Sequence, residues 1–269
     1  MLVFNCSKAA AEFFSTTKKG KKVTCIEPAP EKTISEVSAK TEFDNDEPHW
    51  QWLVHAIKVK RKNVLIVIDC KTRFSMTLTG LKKGDEYAFL NMFEHHLNLN
   101  IYPLLEIVSK DSDEINETIE RYGEQHTSCA FYQRSDRSVQ ATINDIAWHF
   151  EHQAYECGYV AEDFALIKFD GFVNKMLRKN KGSNDYFSPH HQFLQTWLSD
   201  YSEESPQQIE EKITTLKDLE REWFNQEYDY LASLETTNPN DNAQVPVTNT
   251  SATSKNSNVI ELDLFRKKR

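Results

Sequence analysis

Residues 50–80 read WQWLVHAIKVKRKNVLIVIDCKTRFSMTLTG, and this stretch decides the fold. WQWLVHAIKV and NVLIVIDC flank the charged triplet KRK, and TRFSMTLTG follows after Lys71. Val, Ile and Thr dominate, as they do on half-buried pleated surfaces. Short polar links join the runs, so the stretch predicts three strands in an antiparallel meander. The middle run is apolar at odd and even positions alike, which marks a strand covered on both faces and predicts the central position.

Outward from the meander the pattern becomes helical. After Asp85, residues Tyr87, Leu90, Phe93 and Leu97 recur at three- and four-residue spacing. Pro103 predicts a kink or break. Residues 112–122 predict an acidic helix closed by Gly123. SCAFYQ predicts a further strand. SVQATINDIAWHFEHQAYECG predicts a helix with Ile143, Ala147, Phe150 and Ala154 inward and Gly158 as its stop. Toward the N-terminus, residues 1–5 predict a strand and Ser7 caps a helix over 8–14. TTKKGKKVT is a basic turn, and Pro28, Pro30 and EFDNDEP make 27–48 irregular. Past residue 160, helices are expected over 164–179, 189–200 and 205–233. The expected organisation is an α+β domain over 1–160, a helical extension over 161–235, a disordered linker over 236–258 and a C-terminal docking peptide over 259–269.

Composition narrows the functional classes. The chain has 269 residues, 39% hydrophobic and 12% aromatic, enough for a sizeable core. Its longest apolar run, Val64 to Ile68, is far too short to span a bilayer. MLVFNCSKAAAEFF lacks the charged and apolar regions of a signal peptide. Five cysteines form no C-x-x-C pair, which points to reduced thiols and the cytoplasm. No glycine-rich phosphate loop occurs. The net charge is −9, but residues 1–110 carry 16 basic and 13 acidic groups while the rest carry 16 and 28. A local basic patch is therefore compatible with an acidic whole.

Four stretches carry a resemblance: NCSK at 5–8, WLVHAIKVKRKNVLIVID at 52–69, RFSMTLTGLKKGD at 73–85 and DRSVQATINDIAWHF at 136–150. In order and spacing, residues 1–160 resemble an uncharacterised family of small bacterial proteins. Arg137, Ser138, Asn144 and Asp145 hold family positions, while Ala141 and Thr142 replace its usual Gly-Ser pair. The resemblance implies a fold and no activity.

Three regions are candidates for chemistry. RSDRSVQATIND places Arg134, Arg137, Ser138, Asn144 and Asp145 where a strand hands over to a helix, a setting suited to an anion. The alternative is a capping motif with Asp136 or Ser138 as cap. KKGKK and KVKRK supply Lys18, Lys19, Lys21, Lys22, Lys58, Lys60, Arg61 and Lys62, a basic patch for a nucleic-acid backbone or an acidic protein if the loops converge. Otherwise these lysines solvate turns and keep an edge unpaired. The acidic helix ending near Glu235, with Trp223 and Phe224 adjacent, is a packing surface or a homodimer interface. No metal or cofactor is expected. His95–His96 and His190–His191 are adjacent pairs that point about 100° apart on a helix. His149 and His152 share a face without an H-E-x-x-H pattern.

The chain ends NVIELDLFRKKR after a polar tether. ELDLF at 261–265 is similar to the bacterial sliding-clamp-binding pentapeptide, with Glu261 where glutamine is usual. Ile260, Leu262, Asp263, Leu264 and Phe265 are the candidate docking residues, and the alternative is that they pack on this protein's own sheet. The expected function is a non-enzymatic cytoplasmic adaptor without membrane attachment. Its basic loops would bind an anionic partner, nucleic acid among the candidates, and its tail would dock a protein. A place in a mobile element or in phage defence would suit such a protein. The alternatives are an enzyme acting on nucleic acid or a nucleotide through Arg137, Ser138, Asn144 and Asp145, and a structural homodimer.

Overall fold

In the computed structural model the meander is the larger part of a five-stranded sheet. The structure describes residues 1–29, 34, 49–109, 111–158, 162–179 and 184–236. The meander strands are β4 (Trp50–Val59), β5 (Lys62–Asp69) and β6 (Ser75–Thr79). Beside them run β1 (Leu2–Cys6) and β7 (Cys129–Gln133), giving the order β6-β5-β4-β1-β7. β4, β5 and β6 pair antiparallel, with Trp52 opposite Asp69 and Val64 opposite Thr79. β1 is parallel to both β4 and β7, so the sheet is mixed and larger than the meander alone. β5 is central within the meander, whereas β4 is central in the whole sheet.

The period-two pattern of β5 explains two cores. Leu65 and Val67 face one side, with Phe4, Trp52 and Met76. Val64, Ile66 and Ile68 face the other. The first side is covered by α1 (Lys8–Phe13), α2 (Glu86–Val108), α3 (Ser112–Gln125), α6 (Pro189–Tyr201) and the first part of α7 (Pro206–Thr236). The second is covered by α4 (Arg137–Glu156) through Ile143, Ile146 and Phe150, and by α5 (Asp163–Lys175) through Leu166, Phe169 and Val173. Two small hairpins complete the described structure: β2 (Ser15–Lys18) with β3 (Lys21–Thr24), and β8 (Arg178–Lys179) with β9 (Tyr186–Phe187).

One compact unit runs from Met1 to Arg221, and the boundary expected at residue 160 does not divide it. The reason is aromatic. α6 inserts Phe193 and Trp197 into the first core, where Phe193 stacks on Phe74 at 4.0 Å and lies 5.5 Å from Trp50. α7 adds Ile209, Ile213 and Leu216 to the same core. α2 passes through Pro103, and α3 passes through Gly123 to Gln125.

The outer edge of β6 is closed by side chains, not by a strand. Asn174 Oδ1 accepts from Ser75 N at 2.8 Å and Ser75 Oγ at 3.0 Å, while its Nδ2 donates to Ser75 O at 2.8 Å. Asp170 Oδ1 accepts from Thr77 N at 3.0 Å. α5 thus supplies the partners an edge strand leaves open. At the C-terminal end of β5, buried Asp69 accepts from Trp50 Nε1, Lys71 N, Thr72 N and Thr72 Oγ, which fixes the turn into β6.

Candidate functional site

The basic residues stand on two hairpin tips. Lys18, Lys19, Lys21 and Lys22 flank the β2–β3 turn, and Lys58, Lys60, Arg61 and Lys62 flank the β4–β5 turn; all eight are exposed. They therefore sit on separate hairpins. Lys60 and Arg61 have φ of 47° and 68°, as a two-residue turn with positive φ at both positions requires. Asparagine and glycine normally fill such turns, and holding an ordinary residue there costs roughly 1–2 kcal/mol. Lys19 has φ 49°, followed by Gly20 at 76°. The two turns thus hold cationic side chains outward in a backbone geometry those residues disfavour.

The β4–β5 tip has an aromatic neighbour. α4 runs its apolar stripe against the sheet, so its opposite side carries Trp148, His152 and Tyr155 at i, i+4 and i+7. Trp148 is 58% and Tyr155 67% exposed. Lys60 Nζ lies 5.3 Å from the Tyr155 ring centroid, within cation–π range. Trp148 stacks on His152 at 5.4 Å with the rings 4° from parallel. His149 bridges Trp148 to the exposed Phe172 on α5, at 4.8 and 5.7 Å. The outcome is a row of exposed rings with a cationic hairpin at one end. Glu156 pairs with His152 at 3.2 Å and sets a negative charge beside the row. Trp50 and Trp52, the tryptophans nearest the basic stretch in sequence, are buried in the first core.

RSDRSVQATIND resolves into separate pairs with different partners. Arg134 is buried, donates from Nε to Asn5 Oδ1 at 2.7 Å, and lies over the Tyr132 ring at 5.1 Å. Asp136 caps α4, accepting from Ser138 N at 2.7 Å and Val139 N at 3.1 Å. Partial burial pushes its carboxyl up, but those bonds and the one from Ser138 Oγ outweigh it and hold the group below the usual range. Ser138 Oγ also accepts from Arg73 at 2.9 Å. Asp145 pairs with Arg178, and Asn144 accepts from Gln140 Nε2 at 3.0 Å. Arg137 points into solvent. Arg73, absent from the sequence-based set, is the cation brought to Ser138.

Other reactive types are accounted for in the same way. All five cysteines are free. Burial raises the Cys6 thiol well above its usual range and Cys25 to about 11, so neither is a ready nucleophile. His55 Nδ1 meets Ser7 Oγ at 2.8 Å, and burial lowers the imidazole's pKa. Ser7 also accepts from Ala10 N as the cap of α1. Among the described residues no carboxylate hydrogen bonds to His55. His190 and His191, set aside in the sequence, both reach Glu220, at 2.9 and 2.7 Å. The docking peptide, Ile260 to Phe265, lies outside the described residues, and no described helix is long and apolar enough to cross a membrane.

Fold and site together define a small α+β protein with a mixed sheet, an exposed aromatic row and basic hairpin tips. The chain belongs to the DUF6933 family, a domain of unknown function, whose profile matches residues 13–192. The match contains three of the four stretches that carry the resemblance and continues past residue 160 into α6, while NCSK precedes it. No curated protein matches the chain.

Proposed function

We propose that this protein is a non-enzymatic cytoplasmic adaptor that holds single-stranded nucleic acid on one surface and docks a protein through its C-terminal peptide. One observation carries the first half: the β4–β5 tip, with Lys58, Lys60, Arg61 and Lys62, abuts the exposed row of Tyr155, His152 and Trp148. Cations that track a backbone beside rings that stack on bases are the two ingredients of single-strand binding. A duplex offers no free base faces to such a row. Asp145, Asn144 and Ser138 each already hold a partner within the protein, which favours binding over catalysis along this part of α4. The second half rests on ELDLF, whose Leu264 and Phe265 suit an apolar pocket on a sliding clamp, with the preceding polar residues as a tether.

Fluorescence anisotropy with a labelled single strand and the matching duplex tests the first half. The single strand should bind more tightly. If all four cations engage phosphates, the slope of log K against log salt should be about −3. Equal or tighter duplex binding would overturn the reading. For the second half, capture of purified sliding clamp should be lost in a chain ending at Ser257. Retention by that truncated chain would discard the docking peptide.

A further inference from the structure

We propose that His190, His191 and Glu220 form a binding site for a divalent first-row transition ion, with zinc as the reference ion. This is independent of nucleic-acid binding. The three side chains come from the first turn of α6 and from α7, and their ligating atoms all lie within 4.8 Å of one another. His190 Nε2 is 2.9 Å from Glu220 Oε1, and His191 Nε2 is 2.7 Å from Oε2. Two imidazoles and a carboxylate are a common donor set for zinc and its neighbours.

The hydrogen bonds of His190 point the same way. Its Nδ1 lies 3.0 Å from the Asn174 carbonyl oxygen, which only accepts, so Nδ1 carries the proton. Ser188 Oγ, 2.9 Å away, accepts from the same group. In a neutral ring Nε2 then presents a lone pair, and it presents it to a carboxylate. A second proton or a metal ion must stand between them. A metal-ligating histidine commonly donates its other N–H to a backbone carbonyl, which is the arrangement Asn174 supplies. Donors at about 2.0–2.2 Å from a tetrahedral ion sit roughly 3.3–3.5 Å apart, so each histidine needs to move about half an ångström from Glu220 while the two imidazole nitrogens, within 4.8 Å of each other, settle to the same spacing.

Access and competition are both defined. The side chain of His190 is 5% exposed, those of His191 and Glu220 17% and 18%, so solvent reaches the open side. Three protein ligands leave a fourth position for water or an exogenous ligand. Lys175 Nζ contacts Glu220 Oε1 at 3.1 Å and is itself 56% exposed, so it can withdraw as an ion enters. The bound ion would tie together the end of α5, the start of α6 and α7. Adjacent histidines look ill-matched as ligands on a helix; here His191 reaches across to a carboxylate shared with His190.

The test uses the untagged full chain, stripped with chelator and dialysed, titrated with Zn²⁺ by calorimetry. One ion per chain is expected, with affinity falling ~100-fold or more in His191→Ala and Glu220→Gln and unchanged in His95→Ala. Zinc-edge X-ray absorption of the loaded wild type should show two imidazoles and an oxygen ligand, which needs no variant to fold. Absence of saturable binding, equal affinity in folded His191→Ala and Glu220→Gln, or sulfur ligation from the exposed Cys129 or Cys157 would overturn the proposal.

Discussion

Asn174→Ala should open the sheet at β6. The side chain is 1% exposed and makes all three of its bonds to Ser75, pairing the backbone N–H and C=O as a neighbouring strand would. Truncation leaves both backbone groups buried without partners, at roughly 1–3 kcal/mol each, so the loss should be about 3–5 kcal/mol. Urea denaturation followed by circular dichroism reads this directly, with the midpoint shifted and the slope unchanged. Asn174→Asp discriminates the mechanism. It keeps the acceptor for Ser75 N–H but sets a carboxylate against Ser75 C=O. Its buried carboxyl should have a raised pKa, so its deficit should shrink as pH falls and the protonated form can donate to that carbonyl. A loss below about 1 kcal/mol in the alanine variant would refute the idea that Asn174 closes this edge.

Further outcomes follow from other buried groups. Burial and the nearby positive N-terminus lower the His126 pKa to about 4. The unfolded chain takes up its proton near the usual 6.5 and the folded chain does not, so stability should fall as pH drops from about 6.5 to 4, by about 2 kcal/mol. His126→Gln should flatten that part of the stability–pH curve, and an unchanged curve would exclude His126 as the cause. Asp69→Asn replaces two acceptor oxygens with one and turns an amide N–H toward donors; it should cost about 2–3 kcal/mol by thermal and urea unfolding. Trp148→Ala with Tyr155→Ala should weaken single-strand binding by about 1–3 kcal/mol per lost stacking contact without lowering stability. Lys60→Glu with Arg61→Glu should weaken the same binding and flatten its salt dependence, both read by anisotropy.

The meander was legible because its signals are local: β-branched runs, the charged triplet KRK between them and a middle run apolar on both faces, which the structure splits into Leu65 and Val67 on one side and Val64 and Ile66 on the other. β1 and β7 were legible as strands, but not the parallel pairing of β1 with both β4 and β7, because it joins residues about fifty or more apart and leaves no local mark. Gly123 reads as a helix stop, yet α3 continues and closes where His126 N bonds to Tyr122 O. The helices past residue 160 read as an appendix because nothing local shows that Phe193 faces Phe74. The aromatic row was within reach, since Trp148 and Tyr155 fall opposite the stripe of Ile143, Phe150 and Ala154. Its closeness to Lys60 was not, since that contact joins residues 95 apart. Glu220, thirty residues from His190, could be found only in three dimensions.

Ultraviolet crosslinking of the full chain to a short single strand, with the adducts mapped by mass spectrometry, tests the proposed surface most directly. Adducts should fall on the α4 segment holding Trp148 and Tyr155, should lie beside the Lys58–Lys62 hairpin, and should fade when Lys60 and Arg61 are replaced by glutamate. Adducts confined to the Lys18–Lys22 hairpin or to the basic C-terminus, or none on α4, would contradict the assignment of this face as the nucleic-acid interface.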